Sequence, residues 1–179
     1  YNAKHNEANG WENTDGDNNN NSWNCGEEGE TKNQDVNNLR RRLQKNAVSV
    51  LMCSRGTPMF LAGDEFGNSQ FGNNNAYCQD NEISWLNWDD LKKNQDLYHF
   101  FRYMIHFRKK HPILRRHTRP AKSRFPETSL HAMTPWDANY QYDSRVIGVT
   151  FAGRNIQDTE DDIVHIVMNS HWEGHQVCL

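Results

Sequence analysis

Apolar positions recur with two different periods along this chain of 179 residues, and long polar stretches separate them. From residue 35, Val36, Leu39, Leu43, Ala47, Val50 and Leu51 follow one another mostly at spacings of three and four, which predicts an amphipathic helix. Asn33 or Asp35 is its candidate N-cap, and it should end near Gly56. Residues 58–62 then form a short continuous apolar run flanked by Pro and Gly, the pattern of a strand buried on both faces in a parallel sheet. A helix leading directly into such a strand predicts an α/β unit. A second helical face follows at Leu97, Phe100, Phe101, Met104, Ile105 and Arg108, and Pro112 stops it. Beyond Pro112 the period drops to two. Residues 145–151 alternate with Ile147, Val149 and Phe151 on one side, residues 163–168 form a β-branched run, and residues 176–179 are the candidate start of a third strand.

The polar stretches carry no period. Residues 1–34 are dominated by Asn, Asp, Glu and Gly and predict a long ordered loop, a feature that is often functional in a compact domain. Tyr1, Trp11 and Trp23 speak against disorder, because such side chains usually pack. A second polar loop over 66–90 holds Asn73, Asn74 and Asn75 with Tyr77, Trp85 and Trp88. The polar, proline-containing segment 111–118 is the expected boundary between an α/β part, 1–112, and a β-rich part, 113–179. A chain that starts on Tyr1 and stops in a strand has the look of a fragment. A whole (β/α)₈ barrel takes about 250 residues, so any barrel here is incomplete.

Composition narrows the function classes. The formal charge is -3, from 20 basic and 23 acidic residues, and no basic face points to nucleic acid. No apolar run approaches the ~18 residues of a membrane span. Cys25, Cys53, Cys78 and Cys178 are far apart, form no CxxC pair and predict free thiols. Asp15, Asp17 and Asn19 have the first spacings of a calcium loop, but Asn20 stands where glycine is needed and Gly26 where glutamate is. His171 and His175 are spaced as on a helix face, yet Trp172 replaces the glutamate of a zinc motif and Gly174 lies between them. No metal and no cofactor is expected.

Several strings then stand in a fixed order: YNAKHNEANG at 1–10, DG at 15–16, WNCG at 23–26, GTPM at 56–59, GDE at 63–65, GNNNAYCQDNE at 72–82 and SW at 84–85. Together they resemble the isoamylase and glycogen-debranching branch of glycoside hydrolase family 13. Ser144, Arg145, Asp161, Asp162, Asn169, Trp172 and Glu173 match more loosely the C-terminal β-sandwich of that family. The resemblance implies that 1–112 is the last part of a (β/α)₈ barrel, with 58–62 as its eighth strand and the two helices as its seventh and eighth. It implies that 113–179 begins an all-β sandwich. It also implies a parent enzyme that cleaves α-1,6 branches of glycogen or related α-glucans in the cytoplasm, with plastid starch as the alternative setting.

Retaining glycoside hydrolysis needs two carboxyl groups about 5–5.5 Å apart. By the family register the nucleophile, the acid/base and a third acid all precede Tyr1, so no catalytic residue is assigned here. Asp64 and Glu65 are sequence neighbours that point apart at a strand end, and one of them is expected to orient the active-site shell by hydrogen bonds and the other to tether a loop. Substrate contact is expected from His5, Asn6, Asn73, Asn75 and Tyr77, with Gln79, Trp11, Trp23 and Trp85 nearby. The competing role for these amides is to hold their own loops. The expected partners are an α-glucan and the N-terminal remainder of the parent. A non-catalytic α-glucan-binding module, a pullulanase and a branching enzyme are the alternatives.

Overall fold

The computed structural model describes residues 1–137, 140–155, 157 and 159–178. The chain packs into two compact units, Tyr1–Val50 with Met59–Met104, and Leu51–Pro58 with Ile105–Leu179. The division runs through both long helices. The segment 111–118, expected to separate the domains, opens on a 3-10 turn at Pro112–Leu114 whose three residues are all buried.

In the first unit, helix α1 starts at Gln34 and runs as Gln34–Cys53, its last turn lying in the second unit. Asn33 caps it, accepting from the backbone N–H of Asp35 at 3.1 Å. Val36 of the stripe and Val48 outside it are buried, whereas Leu43, Ala47 and Val50 of the stripe are exposed. The stripe is therefore wider than the surface the described residues offer it. A short helix α2, Asp89–Lys93, leads into α3, Gln95–Lys110. Leu97, Phe101 and Met104 of α3 are buried as its period predicts, and Phe101 packs against Phe60 with ring centroids 5.3 Å apart. Phe66 is buried and stacks obliquely on Trp88 at 5.5 Å.

The apolar run 58–62 is not a strand in this structure, and it is not buried. No described residue pairs with it, and Met59 is 86% exposed. A strand exists only through ladder bonds to at least one neighbour, and the described residues supply none. Met59 and Leu61 therefore stay exposed, while Phe60 packs on Phe101. Among the described residues no helix is long and apolar enough to cross a membrane.

The second unit is a three-stranded antiparallel sheet in the order β1 (Thr128–His131), β2 (Val146–Arg154), β3 (Asp161–Asn169). Strands β2 and β3 form a hairpin in register from Val146↔Asn169 to Arg154↔Asp161. Both match predicted β runs. Strand β1 was not predicted: it is four residues long, three of them polar, and β2 supplies the ladder that orders it. No strand forms over 174–178, and Leu179 lies outside the described residues. Arg108, at the foot of α3, is buried and donates to the carbonyls of Met52, Ser54 and Gly56 at 2.6–2.7 Å. These bonds attach the end of α1 and the following turn to the second unit.

On β2, Val146, Gly148, Thr150 and Ala152 are buried, while on the other face, expected to be the apolar one, Phe151 is buried and Ile147 and Val149 are less so. His131 and His165 fold over Thr150 from the two flanking strands. The Thr150 hydroxyl lies 3.0 Å from His131 Nε2 and 2.7 Å from His165 Nδ1. His131 Nδ1 accepts from the backbone N–H of Trp136 at 2.9 Å. His165 Nε2 is buried with no partner among the described residues. Burial, and secondarily the neighbouring His131, pull the His165 pKa below its ordinary value.

A base whose folded pKa is depressed binds fewer protons folded than unfolded. The stability of this unit is thus expected to be full above about pH 6.5 and to fall as pH drops through that value toward the lower folded pKa. One such group gives a slope of at most about 1.4 kcal/mol per pH unit. Melting temperature against pH, for the wild type and His165→Asn, checks this: the variant should have a flatter curve below pH 6.5. Identical curves would refute the role of His165.

Candidate functional site

In the first unit the two polar loops, 1–33 and 67–88, are joined to each other by amide side chains. The backbone N–H of His5 donates to the Gly72 carbonyl at 2.8 Å. Asn6 Nδ2 donates to Asn74 Oδ1 at 2.8 Å, and the Asn74 backbone N–H donates back to Asn6 Oδ1 at 3.0 Å. The second hydrogen of Asn6 Nδ2 goes to the Asp15 carbonyl at 2.9 Å, so every polar atom of that side chain is used inside the loops. Asn73 Nδ2 donates to Asn9 Oδ1 at 2.9 Å, and Gln79 Nε2 donates to the same oxygen at 2.7 Å. Asn9 and Asn75 each donate to Asp15 Oδ2 at 2.8 Å. These bonds hold the Asp15 carboxyl below its ordinary pKa, those from Asn9 and Asn75 contributing most.

Three further groups fasten the first loop. Glu28 accepts from the backbone N–H groups of Asn2 and Ala3, from Asn24 Nδ2 and from His5, whose Nε2 lies 3.0 Å away. With the Asn2 bond the largest influence, its carboxyl is held far below the usual carboxylate range. Arg40 of α1 donates to the carbonyls of Asn24, Gly29 and Glu27, which attaches the loop to the helix. Lys4 Nζ donates to the Asp15 carbonyl at 2.6 Å.

The residues expected to contact substrate thus divide. Asn6 is 0% exposed and Asn73 is 4% exposed, and their amides are spent inside the loop pair. Asn75 is engaged with Asp15, and the His5 ring with Glu28. Tyr77 is open, 77% exposed, on a 3-10 turn spanning Ala76–Cys78. Trp85 is exposed as well, and its orientation is fixed by an Nε1–H bond to Asp80 Oδ1 at 2.9 Å. Trp11 and Trp23, expected to anchor the first loop by packing, are instead exposed. The amide network supplies the order that was expected from aromatic burial.

Asp64 and Glu65 lie on a 3-10 turn, Asp64–Phe66. Asp64 Oδ2 accepts from the Leu61 backbone N–H and Glu65 Oε2 from that of Gly63, each at 2.9 Å. Both carboxylates therefore brace their own turn. Asp64 is exposed as a residue, yet its carboxyl lies low enough among its neighbours that desolvation raises its pKa. The Asp15, Asp17, Asn19 spacing is not gathered around one point. Asp15 faces Asn9 and Asn75, and Asp17 Oδ1 accepts from the Asn19 N–H at 2.8 Å. Among the described residues no three His, Cys, Asp or Glu side chains are grouped to hold a metal.

Asp15 and Glu28 were not foreseen as loop anchors. A signal was available: carboxylates in a stretch rich in amide and backbone N–H donors are the natural acceptors for them, although the sequence does not say which of the several acids there takes the role.

Comparison with known proteins gives the following. No family model matches the chain. The glycogen operon protein GlgX homolog of Mycobacterium tuberculosis is 53% identical over 116 residues, covering 65% of this chain and 16% of the relative. The chloroplastic isoamylase SU1 of Zea mays is 38% identical over 172 residues, covering 96% of this chain and 21% of the relative. The chain thus spans between a sixth and about a fifth of the length of these relatives. Among solved structures, a pullulanase from Paenibacillus barengoltzii in complex with maltohexaose and α-cyclodextrin aligns with a TM-score of 0.57 and 23% identity. That alignment covers 75% of this chain and 19% of the pullulanase. It shows a shared fold over that part.

Proposed function

We propose, from the premise that the chain is homologous to a segment of the isoamylase-type debranching enzymes, that it is part of a glycoside hydrolase cleaving α-1,6 branches of glycogen or related α-glucans. The observation that carries this is the pair of interlocked loops. The strings that resemble the family, YNAKHNEANG and GNNNAYCQDNE, are the same strings whose amides bond across to each other. In the proposal, residues 1–112 contribute the end of the barrel and 113–179 the start of the sandwich. The exposed run Met59, Phe60, Leu61 is the eighth strand, which pairs with other strands of the parent. The loop pair is part of the cleft rim. Tyr77 and Trp85 offer ring faces to sugar, and His5, Asn6, Asn73 and Asn75 hold the rim in shape. The setting proposed is cytoplasmic.

The cutting carboxylates are not among these residues in the proposal. Asp64 and Glu65 support that by their geometry, because each is committed to a backbone N–H of its own turn. The purified chain is therefore expected to release no reducing ends from glycogen, and the parent polypeptide to release linear chains. In the parent, Asp64→Asn and Glu65→Gln should each keep kcat within about tenfold, where loss of a general acid or base costs about 10²–10⁴-fold. Hydrolysis by the chain alone, or a parent that leaves α-1,6 branches intact, would refute the proposal. The exposure of Trp11, Trp23, Tyr77 and Trp85 favours a second possibility, a glucan-binding module without chemistry. Binding without hydrolysis by the parent would establish it.

A further inference from the structure

The second unit contains a cavity that the loop pair does not explain. It has a volume of about 560 Å³, within the range of small-molecule sites, and it lies at the end of the sheet where two chain segments meet. One leaves β1 at His131 and enters β2 at Val146, and the other follows Asn169 of β3. They bring Trp172 and His171 together with Met133, Asp137, Gln141 and Arg145 around one opening.

Trp172 is 86% exposed, although burying an indole is among the most favourable things a fold can do with it. It is not a loose side chain on a loose turn. Asn169 clamps the turn from both sides, its Oδ1 accepting from the His171 N–H at 2.9 Å and its Nδ2 donating to the Glu173 carbonyl at 2.8 Å. The His171 ring stacks on Trp172 at 4.1 Å with 30° between the planes. His171 is held in turn through Nδ1, which accepts from the Glu173 N–H at 3.2 Å and lies 3.2 Å from His175 Nε2. One face of the indole is thus backed by an imidazole, and the rest is presented to the opening.

The chemistry of the rim selects among ligand classes. Asp137 and Asp143 bring carboxylates, Arg145 a guanidinium and Gln141 an amide, so both signs of charge and a neutral planar group occur together. The excess of carboxylate disfavours a phosphate, and among the described residues no three His, Cys, Asp or Glu side chains are grouped to hold a metal ion. A flat aromatic face beside planar donors and acceptors matches a pyranose ring, whose C–H face is apolar and whose edge carries neutral hydroxyls. Preorganisation of the turn lowers the ordering cost of binding.

We propose that this cavity is a second, non-catalytic binding site for a neutral oligosaccharide, in which a pyranose ring stacks on Trp172 and hydrogen-bonds to Asp137, Gln141 and Arg145. Its assignment to α-glucan rests on the debranching function proposed above. The site holds a chain of the substrate in place at a point other than the loop rim of the first unit.

The test is calorimetric titration of the 179-residue chain with maltoheptaose and, separately, with cellohexaose. Trp172→Ala should weaken maltoheptaose binding at least tenfold, and Trp172→Phe should weaken it less. The double variant Tyr77→Ala, Trp85→Ala should retain the Trp172-dependent binding. Because Trp172 is so exposed, the alanine variant should melt with the wild type, which separates lost binding from lost folding. No binding by the wild type, equal binding by Trp172→Ala, or loss only in the double variant would overturn the site. Cellohexaose binding as tight as maltoheptaose would overturn its α-glucan assignment. None of these outcomes bears on branch hydrolysis by the parent, which is measured separately.

Discussion

Replacing Arg108 by methionine is expected to destabilise the second unit by about 3 to 5 kcal/mol. The guanidinium is 6% exposed and makes three charge-assisted bonds, from Nη1 to the Met52 and Ser54 carbonyls and from Nη2 to that of Gly56. Those carbonyls lie at and just beyond the end of α1, where a helix leaves acceptors without intrahelical donors and carries partial negative charge. Methionine keeps much of the volume and removes every donor, so the acceptors lose their partners while still shielded from water. Arg108→Lys should recover about half of the loss, since an ammonium on a flexible stem cannot reproduce the fork. Denaturant unfolding of the three proteins, with hydrogen exchange in β2 as the local reporter, measures this. A loss below about 1 kcal/mol would mean that water satisfies these carbonyls equally well.

Gly16→Ala is expected to uncouple the two loops of the first unit. Gly16 has φ +75, and a Cβ there would lie 2.1 Å from Asn74 Oδ1 and 2.5 Å from Asn6 Nδ2. Those atoms form the central cross-loop bond, so the methyl group cannot enter without breaking it. Left-handed backbone costs a non-glycine residue about 1 to 2 kcal/mol, and overpacking adds about 1 to 3. Gly10→Ala is the control, because Gly10 has φ +80 with nothing within 4 Å of its Cβ position. It should show the backbone cost alone. Hydrogen exchange at the Asn74 and His5 amides should accelerate strongly in Gly16→Ala and little in Gly10→Ala. Equal effects of the two substitutions would show that steric entry into the amide network is unimportant.

Both substitutions act on features that sequence patterns only half disclose. Arg108 was legible as a member of the buried face of its helix, through its spacing from Leu97, Phe101 and Met104. Its partners were not, because they lie more than 50 residues away. The Asn-rich composition of both loops pointed to side chains that bond backbone. It did not show that Asn6 pairs with Asn74 and Asn73 with Asn9, which decides that the amides of Asn6 and Asn73 are spent internally. The indole of Trp172 could be seen in the sequence, but the opening it faces is assembled from two segments distant in the chain.

The sequence by itself determined the helices Gln34–Cys53 and Gln95–Lys110, the strands Val146–Arg154 and Asp161–Asn169, and the polar loops around them. Periodicity and capping are local properties, and a local pattern suffices to bias backbone dihedrals. Tertiary structure alone decided that residues 58–62 remain unpaired and exposed, that residues 128–131 become a strand, and that histidines cover the inner face of β2. A strand is defined by hydrogen bonds to another segment, and burial by what happens to lie opposite. An apolar run without a ladder partner therefore stays outside a sheet, while a mostly polar one beside β2 joins it.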